Sequence, residues 1–213
     1  MPARNMIGFA LLIAGSVVLT TTAHAEETYA SPKAVFDAAM KAERAGDYKT
    51  FMSLYDAKSR NLVTGELVAT SAKFKLHIAS KAGAKFADKA PELDKLLTKH
   101  GIGREAIAKA APGGKTAKTL DEKTLVGLGK LVKDQGGFAN DIMPFLEGLG
   151  LAKKDTDSGA KLKDLQTKGD KATGVKVKEV DGKEVREPIE FVKVARSWRL
   201  VAEKPKKAPK DKK

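Results

Sequence analysis

From residue 31 onward the chain alternates between two hydrophobic periods. Val35, Phe36, Ala39 and Met40 recur at the three-to-four spacing of a helix face. Ser31 supplies an N-cap, Pro32 suits the first turn, and Gly46 stops the element. Asp47 then caps a second short helix that carries Phe51, Met52, Leu54 and Tyr55, so the spacing predicts a helix hairpin closed by Gly46-Asp47. From about residue 62 to 154 the helical period persists in an alanine- and lysine-rich stretch punctuated by glycine. A long helix is expected from a cap at Thr64 through Leu67, Val68, Phe74, Leu76, Ile78 and Phe86. Another opens at Pro91 and runs through Leu93, Leu96 and Leu97 to Gly101. A third covers Asp121 to Lys133, and a fourth Phe138 to Leu149, with Pro144 as a kink or break.

Past residue 161 the period becomes two. Gly174-Val175-Lys176-Val177-Lys178 alternates apolar with charged positions, the pattern of a half-exposed strand. Asp181-Gly182 between β-prone runs is a hairpin turn. Ile189 to Val194 is the most apolar strand, and Trp198-Arg199-Leu200-Val201 follows a turn at Arg196-Ser197. Lys161 to Thr167 precedes them, turning at Gly169-Asp170. Four sequential strands with short turns predict an antiparallel meander at about 161–203. Helices first and strands last place the chain in the α+β class. The expected core of the helix hairpin and sheet is Val35, Phe36, Met40, Phe51, Leu54, Phe191, Val194, Trp198 and Leu200.

The two ends read differently. Residues 1–25 join a charged start at Arg4, an apolar run from Met6 to Leu19 and the small-residue site Ala23-His24-Ala25. This is the pattern of a signal peptide cleaved after Ala25, with a run too short for a membrane span. The expected mature chain is therefore exported, periplasmic or extracellular, and has no transmembrane span. The absence of cysteine excludes lipobox lipidation, disulfides, thiol nucleophiles and cysteine metal clusters. Loss of Arg4 with the leader takes the formal charge of +13 to +12. Lys204 to Lys213 holds six lysines and one aspartate with no large apolar residue, so it is expected to be disordered. It is a solvated tail or a tether to an anionic envelope surface. Between these ends, residues 26–203 are expected to form one domain.

The helix pair SPKAVFDAAMKAERAGDYKTFMSLYD and the closing run KATGVKVKEVDGKEVREPIEFVKVARSWRLV together resemble the nuclear transport factor 2-like superfamily, the ketosteroid-isomerase-like cone fold. Phe191-Val192-Lys193 and Trp198-Arg199-Leu200 carry the resemblance in the last strands. The middle departs from the family pattern and reads as a helical insertion over about 62–154. The resemblance implies a sheet curved around the first helix, with a cavity lined by Phe36, Met40, Tyr55, Phe191 and Trp198. Family enzymes place an acid or base in that cavity, and many members only bind, so the fold does not choose between them.

Candidate chemistry is sparse. Asp37, Asp56 and Tyr55 are the polar groups of the helix hairpin nearest the expected cavity, where a desolvated carboxylate would serve as a base. The balance favours a solvent-facing Asp37 and a Tyr55 that packs its ring. His77 and His100 lie outside any metal-ligand spacing. Gly114-Lys115-Thr116 lacks the phosphate-loop glycine, since position 109 is Lys109. Gly101-Ile102-Gly103 with Ala106 follows a helix, not a strand, and reads as a turn. Asp155, Asp157 and Gly159 miss the calcium-loop pattern, which would need an acid at Gln166. The Ala45-Gly46-Asp47-Tyr48 turn does not recur at the tetratricopeptide period of about 34 residues. Lys176 and Lys178, joined by Arg199, would make a basic sheet face, but paired stacking aromatics are missing and export makes nucleic acid an unsuitable partner. No catalytic residue, metal site or cofactor is assigned. The residues point first to an exported binding or scaffold domain for an unidentified ligand or protein. An isomerase-like enzyme using a cavity Asp, Tyr or His, and an envelope-surface protein tethered by its tail, are the alternatives.

Overall fold

The computed structural model describes residues 27–110, 120–152, 159–180 and 182–203. The leader, the Gly114-Lys115-Thr116 loop, Asp155, Asp157 and the lysine tail lie outside those residues. The fold is α+β. Among the described residues, seven α-helices and one 3-10 helix precede a four-stranded antiparallel sheet, ordered β1-β2-β3-β4.

Local chemistry sets the element ends. Helix α1 (Pro32–Ala45) starts at Ser31, whose hydroxyl accepts from the Ala34 N–H, and stops at Gly46, which takes the left-handed φ of 67°. Asp47 caps α2 (Tyr48–Ser53) through the Thr50 N–H. The next helix begins earlier than the sequence predicts. Asp56 Oδ1 accepts the Ser59 N–H at 2.8 Å and caps α3 (Ala57–Ile78), so Thr64 is an interior, fully buried position rather than a cap. Phe86 falls beyond that helix, in a 3-10 segment (Lys81–Lys89). Helices α4 (Ala90–Lys99), α5 (Arg104–Ala110), α6 (Glu122–Gly129) and α7 (Gln135–Gly148) follow. Gly101-Ile102-Gly103 is the turn between α4 and α5. Pro144 sits on an exposed position of α7, and the helix runs through it.

Helices α3 to α7 enclose one core built around Leu93, Leu97, Leu125, Phe138, Ile142 and Leu146. There α3 and α6 cross closely. A Cβ at Gly65 would lie 1.9 Å from the Leu125 carbonyl oxygen, and one at Gly129 would lie 1.9 Å from that of Asn61. Glycine is required by this approach rather than by backbone conformation.

A second core lies between α1 and the sheet. Val35, Phe36, Ala39, Met40 and Leu54 meet Ala172, Phe191, Trp198 and Leu200. Strands β1 (Lys161–Lys168), β2 (Lys171–Val180), β3 (Lys183–Val194) and β4 (Ser197–Val201) pair in sequence. The two-residue connection between Val180 and Lys183 includes Gly182 at φ 72°. Two core expectations fail. Val194 is 50% exposed, because Phe191 faces α1 and a residue three further along a strand faces the other way. Phe51 is half-buried.

The two outer edges of the sheet differ. Strand β1 is exposed along nearly its whole length and carries a register shift between Lys163 and Gln166, with Asp164 at φ 54°. Lysines and a bulge are devices that blunt a free edge. Strand β4 is covered. Its Trp198 N–H donates to Tyr29 O, its Leu200 N–H donates to Leu54 O, and the Asp56 N–H donates to Leu200 O. These bonds fix Tyr55 beside Leu200 at the end of the sheet.

Candidate functional site

A cavity of about 490 Å³ opens between the C-terminal half of α1, the α2 turn, the middle of β2 and β3 and the end of β4. Ala39 and Met40 lie on the face of α1 that packs on the sheet, and Glu43 follows one turn later at its mouth. Phe51 and Tyr55 close one side, their rings 5.5 Å apart and edge to face at 81°. Lys176, Ile189, Leu200 and Ala202 come from the sheet, and Glu187, Glu190 and Glu203 complete the lining with Pro188 and Val201.

The lining is apolar within and charged around its mouth. Lys176 Nζ stands 3.9 Å from Glu43 Oε2, with both side chains mostly buried. Lys178 Nζ lies 3.6 Å from Glu187 Oε1. The Tyr55 phenol is held well above the usual tyrosine range, first by burial and then by the negative charges of Glu43 and Glu66. Glu66, on α3, is itself pushed up, chiefly by desolvation and further by Glu203. A phenol kept neutral in this way donates or accepts a hydrogen bond but does not serve as a proton-abstracting base.

Of the five residues expected to line a cavity, Met40 and Tyr55 do so, whereas Phe36, Phe191 and Trp198 are buried in the packed core beneath it. The other polar candidates are dispersed. Asp37 is a surface residue paired with Lys33 at 2.6 Å, and Asp56 is the cap of α3. His77 is exposed at the end of α3 beside Phe74 and Phe86. His100 packs its ring on Phe138 and meets Asp141 Oδ2 at 2.6 Å, inside the helical half. The expected basic sheet face divides. Register puts Lys176 on the side facing α1, while Arg199 is on the opposite side, where its guanidinium donates to Glu27 O at 3.1 Å.

The lining residues outside the expected set include five charged ones, Glu43, Lys176, Glu187, Glu190 and Glu203. One signal for them was present. A two-residue turn after Val180 fixes the register Val180 to Lys183, and counting back pairs Lys176 with Glu187. Among the described residues no three His, Asp or Glu side chains come together as metal ligands, and no helix is long and apolar enough to cross a membrane. No protein family, curated protein or solved structure matches the chain.

Proposed function

We propose that this chain is an exported, non-lipidated binding domain of the cone-fold type, and that the cavity above Phe191 and Trp198 holds a small ligand. The observation that carries this reading is the cavity itself. A space of about 490 Å³ is within the usual range for small-molecule sites, and apolar walls with a few polar groups at one end are their usual composition. The family-like helix pair and the packing of α1 on the sheet support the cone-fold relation. The leader pattern ending at Ala25 supports export. Binding is favoured over catalysis by the state of two polar groups at the cavity. Tyr55 is shifted away from deprotonation, and Glu43 is engaged by Lys176.

The test is a thermal-shift screen of the purified chain against a chemically varied small-molecule set, repeated on Ala202→Trp. Ala202 is half-buried at the cavity, so the larger ring plugs it. Ligands that raise the melting temperature of the wild-type chain and not of the plugged variant are expected. A set in which nothing shifts the wild-type chain would leave a scaffold role instead. Turnover of a bound ligand would restore the enzyme alternative.

A further inference from the structure

The charge and ring geometry of the cavity define a ligand class. Of its lining glutamates, Glu190 neighbours Phe191 on β3 and so turns to the other face of the sheet, and Glu187 is met by Lys178 from outside the lining. That leaves Glu43, Glu187 and Glu203 against the single lining ammonium of Lys176. That ammonium already faces Glu43. Among the described residues these carboxylates do not combine as a metal site. They therefore offer a diffuse negative field suited to a large, weakly hydrated cation. Two aromatic rings, Phe51 and Tyr55, stand edge to face in the wall. Aromatic faces attract ammonium groups, most strongly where water is excluded. The Tyr55 hydroxyl has no hydrogen-bond partner among the described residues, so its oxygen is available to an ammonium N–H. The remaining wall is aliphatic. Resting on the binding reading above, we infer that the cavity takes an organic cation, an ammonium head carried on an apolar body, in preference to a carboxylate or a neutral molecule of the same shape.

The high phenol pKa of Tyr55 agrees with this geometry. Burial is the larger cause of that shift; the smaller one, the negative charges of Glu43 and Glu66, would also resist a bound carboxylate and favour an ammonium. The strongly basic character of the whole chain, +13, does not oppose it at close range. At physiological ionic strength charges beyond about 8 Å are largely screened, so the groups at the cavity dominate, where Glu43, Glu187 and Glu203, with Glu66 near Tyr55, outnumber Lys176 and Lys178.

The experiment is titration calorimetry of the purified chain with three probes of one shape: 4-phenylbutylamine, 4-phenylbutanol and 4-phenylbutyrate. The amine is expected to bind about tenfold more tightly than the alcohol, with the butyrate weakest. Glu43→Gln, which removes the carboxylate facing Lys176, is expected to narrow or reverse the gap between amine and butyrate. Glu203→Gln, at an exposed position of the lining, is the second variant should Glu43→Gln misfold, and about a twofold loss for the amine alone is expected. Ala202→Trp is expected to abolish binding of all three. Equal affinities for the three probes, or tightest binding of the butyrate, would overturn the cation inference while leaving the binding cavity intact. Amine binding that survives Ala202→Trp would place the site elsewhere and overturn it too. Failure of every probe to bind the wild-type chain would remove both this inference and the binding reading.

Discussion

The helical half and the sheet half of this molecule solve the same burial problem in opposite ways. Between α3 and α6 the backbones approach until Gly65 and Gly129 touch carbonyl groups, and the core around Phe138 and Ile142 is filled. Between α1 and the sheet the core is filled beneath, at Phe36, Phe191 and Trp198, and left open above, at Met40, Phe51 and Tyr55. Packed interiors have little unfilled space, and those voids that persist cost stability. A cavity kept on one side of a small domain is therefore the feature that needs a functional explanation.

The largest effect that would break this contrast comes from truncation. Phe138 is fully buried in the helical core, and Phe138→Ala is expected to cost about 4 kcal/mol in urea unfolding. Met40 already borders open space, so Met40→Ala adds to a void rather than creating one, and about 2 kcal/mol is expected. Equal costs at the two sites would mean that the sheet half closes over its cavity in solution. Trp198→Ala, below the cavity floor, should resemble Phe138→Ala rather than Met40→Ala, because Trp198 is enclosed by α1 and β3.

Additions probe the same contrast from the other direction. Gly65→Ala places a methyl group against the Leu125 backbone, and about 3 kcal/mol of destabilisation is expected from overpacking. Gly127, in α6 itself, has nothing within 4 Å of its would-be Cβ and no positive φ. Gly127→Ala is expected to stabilise by about 0.5 kcal/mol through helix propensity alone. Thermal melts of the two variants decide it, and a tolerated Gly65→Ala would contradict the close crossing of α3 and α6.

Sequence legibility followed the same division. The helix hairpin and the meander were readable because each boundary had a local chemical cause: Ser31, Gly46 and Asp47 for the helices, and Gly169 and Gly182 for the turns. The start of α3 is hard to read because an aspartate such as Asp56 has the same residue type as a cavity acid and as a helix cap, and only the bond to the Ser59 N–H distinguishes them. Helix α5 carried too short a periodic stretch to stand out between Gly103 and the loop that follows. The cavity was half legible. Met40 and Tyr55 announce themselves by helical spacing, whereas the contribution of Glu203 depends on where β4 ends in space, and Phe36 and Trp198 were placed one layer too high. Periodicity assigns a face and does not say which part of that face is covered.

The smallest effects concern charge, and they give the two halves opposite signatures in pH. In the helical half, Asp141 accepts from Lys99 and His100 at 2.6 Å each, and these bonds hold its carboxyl below the usual range. A depressed carboxyl stabilises the fold above its unfolded pKa of about 3.9 and loses that contribution as pH falls toward the folded value. Asp141→Asn is expected to cost about 1 kcal/mol at neutral pH and to flatten this acid limb. Near the cavity, Glu66 is raised by burial and by Glu203. The sign reverses there, because a raised carboxyl favours the fold below its unfolded pKa and loses that advantage as pH rises through the folded value. Glu66→Gln is therefore expected to leave stability nearly unchanged in acid and to raise it slightly at neutral pH. Urea midpoints measured at acid and neutral pH for both variants provide the comparison. An Asp141→Asn variant that gained stability at neutral pH, or a Glu66→Gln variant that lost it, would reverse the assignment. Because Glu66 also acts on Tyr55, removing its charge should ease deprotonation of that phenol, visible as a lower midpoint in ultraviolet titration. Only a carboxylate whose field reaches the cavity would move both readouts, so the pair of measurements separates a charge that acts on the site from one that merely sits nearby.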